Sequence, residues 1–231
     1  MATRHGTGRP RPAIAFAVCA VCSMFAMSQA FADPVAKAIK VAGEVTATHN
    51  GSNETVAIDT VFDVGDVVKT GKGARLRLKF VDGSIVSFAE TTTITIEQFD
   101  YNSGNQSRNV VLNIASGIIN AMATKAASGQ FNYRVHSGDV YSAVRGTEWF
   151  ADTADAPMRV AVLTGQVEVG AAAGQPAQVP AGSYVDATPQ GPGPVRPTPA
   201  AMLSALVAAV ADVSAPKPPQ ERNSKSGGGH R

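Results

Sequence analysis

Cysteine is nearly missing. The 231 residues hold two, Cys19 and Cys22, and both fall within the first 32 positions. If that leader is removed the remaining chain has no cysteine, which excludes disulfides and Cys-ligated metal sites. Aromatic residues make up 6 % and tryptophan occurs once, so valine, isoleucine, leucine and alanine must supply most of any core. Histidine is scarce as well. Of four, His5 lies in the leader and His230 near the far end. His49 and His136 remain, without matched carboxylates nearby in sequence, and no metal site is expected. A strong charge of either sign is also lacking. Three of the 20 bases (Arg4, Arg9 and Arg11) and none of the 18 acids precede Asp33, which leaves 17 against 18. Bulk charge therefore gives no reason to expect nucleic acid as a partner.

No apolar run reaches the ~20 residues that a membrane-spanning helix needs. The nearest, residues 13–27, follows Arg4, Arg9 and Arg11 and precedes Ala30-Phe31-Ala32, the order of a basic n-region, an apolar h-region and an A-x-A cleavage site. Residues 1–32 are therefore expected to be a cleavable signal peptide, with export and no stable membrane span afterwards. Residues 190–199 are rich in Pro and Gly and are expected to be a linker. Thr198-Pro199 suggests an N-cap and first helical position. An Ala-rich helix over 200–213 would carry Leu203, Leu206, Val207 and Val210 as a stripe, packed either on its own body or in a partner's groove. Residues 214–231, rich in Pro, Gly and Ser, are expected to be disordered.

What is present in 33–189 is strand. Residues 74–80 alternate Ala74, Leu76, Leu78 and Phe80 with Arg75, Arg77 and Lys79, which puts an oily set on one sheet face and a cationic set on the other. Gly65-Asp66 and Gly71-Lys72-Gly73 punctuate the chain before this strand, and Asp82-Gly83 suits a two-residue hairpin turn after it. Asn50-Gly51 is a second hairpin signal, with a return strand from residue 55. Residues 91–97, 110–120, 131–135, 158–163 and 167–169 read as further short strands. Residues 101–109 read as a polar loop, and 121–130 as strand then loop. The expected fold is all-β, a short-strand antiparallel sandwich or roll over 33–189. A faint echo between Val41-Ala42-Gly43-Glu44-Val45 and Leu163-Thr164-Gly165-Gln166-Val167 leaves a solenoid-like repeat open beside the plainer view that strand-turn-strand chains reuse such words.

Candidate chemistry is thin. Asp63, Asp66, Asp82 and Asp100 sit at turns, where aspartate commonly caps its own backbone. Ser84 and Ser137 lack a nucleophile elbow, and Gly71-Lys72-Gly73 lacks phosphate-loop spacing. No catalytic residue, metal or cofactor is expected, and the chain is read as non-enzymatic. The residues offered for binding are Arg75, Arg77 and Lys79 on one strand face, Asp82 at the turn, and Arg145 and Trp149 in Arg145-Gly146-Thr147-Glu148-Trp149. The cationic stripe is read either as a contact for acidic protein or glycan, or as a solvated face paired across strands with Glu90 or Glu97.

Gly65-Asp66, Thr70-Gly71, Gly73-Ala74, Leu76-x-Leu78-x-Phe80 and Asp82-Gly83-Ser84 together resemble the FecR domain. Arg145-Gly146-Thr147-Glu148-Trp149-Phe150, Leu163-Thr164-Gly165-Gln166-Val167-Glu168-Val169 and Pro180-Ala181-Gly182-Ser183 follow in that family's order. The resemblance covers roughly residues 40–187. It implies a periplasmic domain that receives or relays a signal by touching another envelope protein, through sheet edges or the loops around Asp82 and Arg145. The signal peptide stands where the family's regulators carry a cytoplasmic anti-sigma segment. The expectation is therefore a stand-alone secreted FecR-like protein, not an anti-sigma regulator. A glycan- or small-ligand-binding module of the envelope is the alternative.

Overall fold

The computed structural model describes residues 33–49, 51–125, 130–154 and 158–211. The expected signal peptide, the expected tail, Asn50 and positions 126–129 of the expected loop lie outside these. In chain order the strands are β1 (Ala36–Ala42), β2 (Val45–His49), β3 (Ser52–Thr55), β4 (Val61–Phe62), β5 (Val67–Thr70), β6 (Arg75–Phe80) and β7 (Ile85–Phe88). β8 (Thr93–Asn102), β9 (Ser107–Ser116), β10 (Ile118–Met122), β11 (Phe131–Ser137), β12 (Val140–Val144) and β13 (Glu148–Asp152) follow. Then come β14 (Met158–Thr164), β15 (Gln166–Gly170), β16 (Ala177–Pro180), β17 (Ser183–Thr188), β18 (Gly191–Pro192), β19 (Arg196–Pro197) and the helix α1 (Ala200–Val210).

These strands form two sheets. Sheet A runs β18-β17-β14-β13-β10-β7-β6-β1-β4, with β19 also against β17, and sheet B runs β16-β15-β12-β11-β9-β8-β5-β2-β3. Neighbours are antiparallel apart from β9 and β11, which are parallel. The chain advances along both sheets at once: β6 and β7 lie in A, β8 and β9 in B, β10 in A, β11 and β12 in B, β13 and β14 in A. The fold is thus an all-β sandwich with a roll-like path and one C-terminal helix. The sequence echo at Gly43 and Gly165 now has a physical meaning. Both glycines sit at corners where the chain leaves sheet A for sheet B, with φ of 73° and 79°, a region open to glycine at no steric cost. A Cβ on Gly43 would stand 2.8 Å from the Ala74 Cα.

The core lies between the sheets. The alternation in β6 holds: Leu76, Leu78 and Phe80 are buried, Arg75 and Arg77 are half-buried and Lys79 is exposed. Val45, Val68, Ile94, Ile96, Val110, Leu112, Ile119, Val135, Val160 and Val185 join the same cluster. Short aliphatic side chains make up most of it, as the low aromatic content requires, with Phe62, Phe80, Phe88, Phe99, Tyr133 and Trp149 as its rings. Trp149 and Tyr133 are fully buried and meet edge to face with centroids 5.7 Å apart, a favoured aromatic geometry.

Several local expectations need correction. The polar run expected as a loop over 101–109 is largely ladder: β8 continues to Asn102 and β9 begins at Ser107. The link between β6 and β7 is four residues, 81–84, closed by the Phe80 amide on the Ser84 carbonyl at 2.9 Å. The proline-rich stretch 190–199 pairs with β17 through Ala187 opposite Pro192 and Tyr184 opposite Arg196. Prolines sit there because the edge needs few donors, and Gly193 and Thr198 supply amides to Asp186 and Gly182. The helix is capped by Pro199 in an extended conformation, without a side-chain cap. Its buried stripe is also rotated: Leu206 is covered, with Met202 and Val210 partly so, against Phe150, Ala161, Ile118, Leu163 and Tyr184 on the outer face of sheet A. Leu203 and Val207 are exposed.

Candidate functional site

Registers place the candidate residues. β1 lies beside β6, with Lys37 opposite Lys79, Lys40 opposite Arg77 and Ala42 opposite Arg75. Residues opposite one another share a face, so the stripe Arg75, Arg77 and Lys79 is widened by Lys37 and Lys40. A register shift between Ala38 and Lys40 makes this possible. In a regular strand positions 37 and 40 point to opposite faces; the extra residue, Ile39, returns Lys40 to the outer side.

The acids expected to neutralise the stripe are elsewhere. Glu90 accepts from the Gly73 amide at 2.6 Å, and Glu97 is bound to Asn113 and His136 on sheet B. Among the described residues Asp59 is brought to this side, 2.9 Å from Lys37. Arg77 donates from Nε to Ser87 Oγ at 3.0 Å, and Arg75 donates to the Ala74 carbonyl. The last helical turn borders the same face, where Val210 shares a small crevice with Lys40, Arg75 and Arg77. The partly negative carbonyl end of the helix thus faces towards cations, a favourable arrangement.

Asp82 belongs to a different place. Its carboxylate points inward, accepts from the Ser84 amide and hydroxyl at 2.9 and 2.6 Å, and pairs with Arg108 Nη1 at 2.8 Å. The Asp82 and Arg108 side chains are 0 % and 2 % exposed. Arg108 also donates to the Thr124 carbonyl, and its guanidinium stands over the rings of Tyr101 and Phe131 at 5.4 and 5.0 Å. This buried pair ties the β6–β7 turn of sheet A to β9 of sheet B. Beside it the Tyr133 phenol is pushed far up by burial and then by the Asp82 carboxylate; Ser84 lies close enough to oppose that rise, though the two make no well-formed hydrogen bond. Sequence reasoning missed Arg108. The signal was its place in the alternation Arg108, Val110, Leu112, Ile114, all buried.

Trp149 is in the core, beyond the reach of a partner. Arg145 is exposed at the β12–β13 turn. That turn is fixed by its neighbours. A Cβ on Gly146 would meet Lys125, with its Cα at 2.9 Å, and Thr147 donates its hydroxyl to the Gln166 carbonyl at 3.1 Å. The structure therefore separates the six candidates into an outer cationic stripe, a buried acid, an interior ring and a lone exposed turn cation.

His49 closes the β2 end. Its Nδ1 lies 2.7 Å from Asp66 Oδ1 and its Nε2 3.8 Å from Asp63. The hydrogen bond to Asp66, then its charge, raises the imidazole above its usual range. A raised pKa means the stabilising contact is complete below the ordinary value of ~6.5 and is lost as pH climbs through the folded value. His49→Gln should therefore lower the melting temperature at pH 6 and leave it unchanged at pH 9; a deficit equal at both pH values would contradict the pairing. Among the described residues no group of three or more His, Cys, Asp or Glu is placed to hold a metal ion, and no helix is long and apolar enough to cross a membrane.

Residues 66–168 match the family model described as FecR protein. A FecR domain is present. Its bounds take in the β6–β7 hairpin, the Asp82–Arg108 pair and the Arg145-Gly146-Thr147 turn. Two solved structures of a protein described as a putative anti-sigma factor from Parabacteroides distasonis ATCC 8503, at 1.65 and 2.50 Å resolution, are similar to this chain. Each is 14 % identical with a TM-score of 0.49, and the match covers 61 % of this chain and 64 % and 63 % of theirs. The match thus spans less than two thirds of each of those structures. The expectation of a stand-alone secreted FecR-like protein set apart from anti-sigma regulators is not upheld: what is found is a FecR domain over residues 66–168. Among curated proteins none matches this chain.

Proposed function

We propose that the FecR domain is a docking module of the cell envelope, on the periplasmic side, that binds an acidic protein surface through the outer face of β1 and β6 and performs no chemistry of its own. The observation that carries this reading is the register: Lys37 against Lys79 and Lys40 against Arg77, with Arg75 alongside. Cations stand opposite cations in this register, with Asp59 against Lys37 at one corner, and an acidic partner surface complements the basic side chains that line the face. Such fields act mainly on encounter rate and on the choice of partner. Periplasmic placement rests on the signal-peptide reading of residues 1–32 and on the FecR domain.

A defined probe tests the face. Polyglutamate peptide should bind the domain at low salt and lose affinity as salt rises, because exposed charges are screened within about 10 Å at 0.1 M. Replacing Arg75, Arg77 and Lys79 together with glutamine should weaken binding roughly tenfold or more, at up to ~1 kcal/mol for each exposed pair lost. Binding that ignores both salt and the triple substitution would overturn the proposal.

A further inference from the structure

The opposite side of the sandwich is built differently. Across β8, β9, β11, β12, β15 and β16 the outer face of sheet B is dressed with amides, carboxylates and one layered aromatic, joined by side-chain hydrogen bonds. Asn109 and Asn132 meet at 2.6 Å at its centre. On one side Asp100 holds Gln98 at 2.7 Å; on the other Glu168 holds Gln178 at 3.0 Å and the Tyr141 hydroxyl at 3.3 Å. Three adjoining depressions of about 370–450 Å³ follow this line. Asn109 lines two of them and Asn132 lines two, so they join at that pair. At neighbouring-strand spacing, six strands make a trough of roughly 24 Å.

We propose that this trough binds a neutral oligosaccharide lying across the strands. Charge argues for a neutral ligand. The carboxylates here are engaged locally, Glu97 by His136 at 2.7 Å and Asp100 by amides, and Arg134 lies over the Tyr141 ring at 4.4 Å. The face therefore presents no field of one sign, unlike the β1–β6 face. Hydrogen-bonding capacity argues for a polyhydroxylated one. Each amide offers two donors and an acceptor oxygen with two lone pairs, so one bond to a neighbour leaves capacity for ligand hydroxyls while holding the side chain in place. That pre-ordering lowers the entropy cost of binding. Shape argues for a ring-bearing chain. Tyr141 lies flat against Gly170, where a Cβ would come within 2.5 Å of the ring, and carries Arg134 as a plate above it. The apolar side chains that point outward between the amides of β9 and β12, Val111 and Ala143, are small.

The test is titration of the intact protein with chitohexaose, cellohexaose and maltohexaose, followed by amide chemical shifts and calorimetry. At least one of the three should shift amides of β9, β11 and β12, with an affinity that does not change between low and high salt. Asn132→Ala and Arg134→Ala, both at exposed positions, should each weaken binding about tenfold, the loss expected for one or two hydrogen bonds; Lys72→Ala, in a distant turn, should not. Binding by none of the sugars, shifts confined to sheet A, affinity that falls with salt, or full affinity in both variants would overturn the proposal. So would binding to this face by an acidic polymer or a protein in place of the sugars.

Discussion

Asp82→Ala is expected to be among the most damaging single substitutions in the domain. It leaves the Arg108 guanidinium buried at the end of the sandwich with its counter-charge gone, an error that costs ~3–5 kcal/mol. For a domain of this size that corresponds to a melting temperature lower by roughly 6–20 °C. Arg108→Met should cost less. The Asp82 carboxylate keeps the Ser84 amide and hydroxyl as donors. Joining the two changes as Asp82→Leu with Arg108→Met should recover part of the loss, because an apolar pair replaces the ion pair while the Ser84 amide and hydroxyl lose their acceptor. Thermal melts of the three variants check this order. Asp82→Ala melting with the wild type, or the double variant melting lowest of all, would mean the pair does not tie the turn of sheet A to β9.

Trp149→Ala carries a comparable penalty for a different reason. The ring is fully buried and packs edge to face on Tyr133. Truncating it removes the largest side chain of the core and leaves a cavity that its rigid strand neighbours do not fill, and ~3–5 kcal/mol is expected. Trp149→Phe should cost far less. The indole N–H has no protein acceptor among the described residues, so losing it forfeits no hydrogen bond there and removes a polar group from an apolar site. Because this is the one tryptophan in the chain, its fluorescence reports the core directly. Emission should be blue-shifted in the native protein and move to the red only in the global unfolding transition. Red-shifted native emission would contradict the placement.

Local pattern made some of this legible and left some of it hidden. The alternation in 74–80 identified both faces of β6 because period two needs no knowledge of neighbours. Arg108 was hidden for the opposite reason. It ends a polar run, Asn-Ser-Gly-Asn-Gln-Ser-Arg-Asn, and polarity there reads as a loop. Its inward direction depends on Asp82, 26 residues away in sequence. The width of the cationic face was hidden as well. Lys37 and Lys40 have the spacing of opposite faces, and only the bulge at Ile39 and the pairing of β1 with β6 bring them together. The helix face was nearly right: Leu206 and Val210 do turn inward, but the i, i+4 ridge that begins at Met202 seats on sheet A in place of Leu203 and Val207.

The roles proposed for the two outer faces rest on side-chain chemistry. One sheet carries cations in register and the other carries linked amides, so binding at the first should weaken as ionic strength rises and binding at the second should not change. The most direct measurement is site-specific photo-crosslinking in the native envelope, with the reactive group placed at Ile39 and Ile85, which flank the cationic positions without removing any of them, and at Asn113 on sheet B. Crosslinks to one protein from Ile39 and Ile85 that fade as salt is raised are the predicted result. Protein crosslinks from Asn113 alone, or crosslinks from the β1–β6 side that are indifferent to salt, would contradict it.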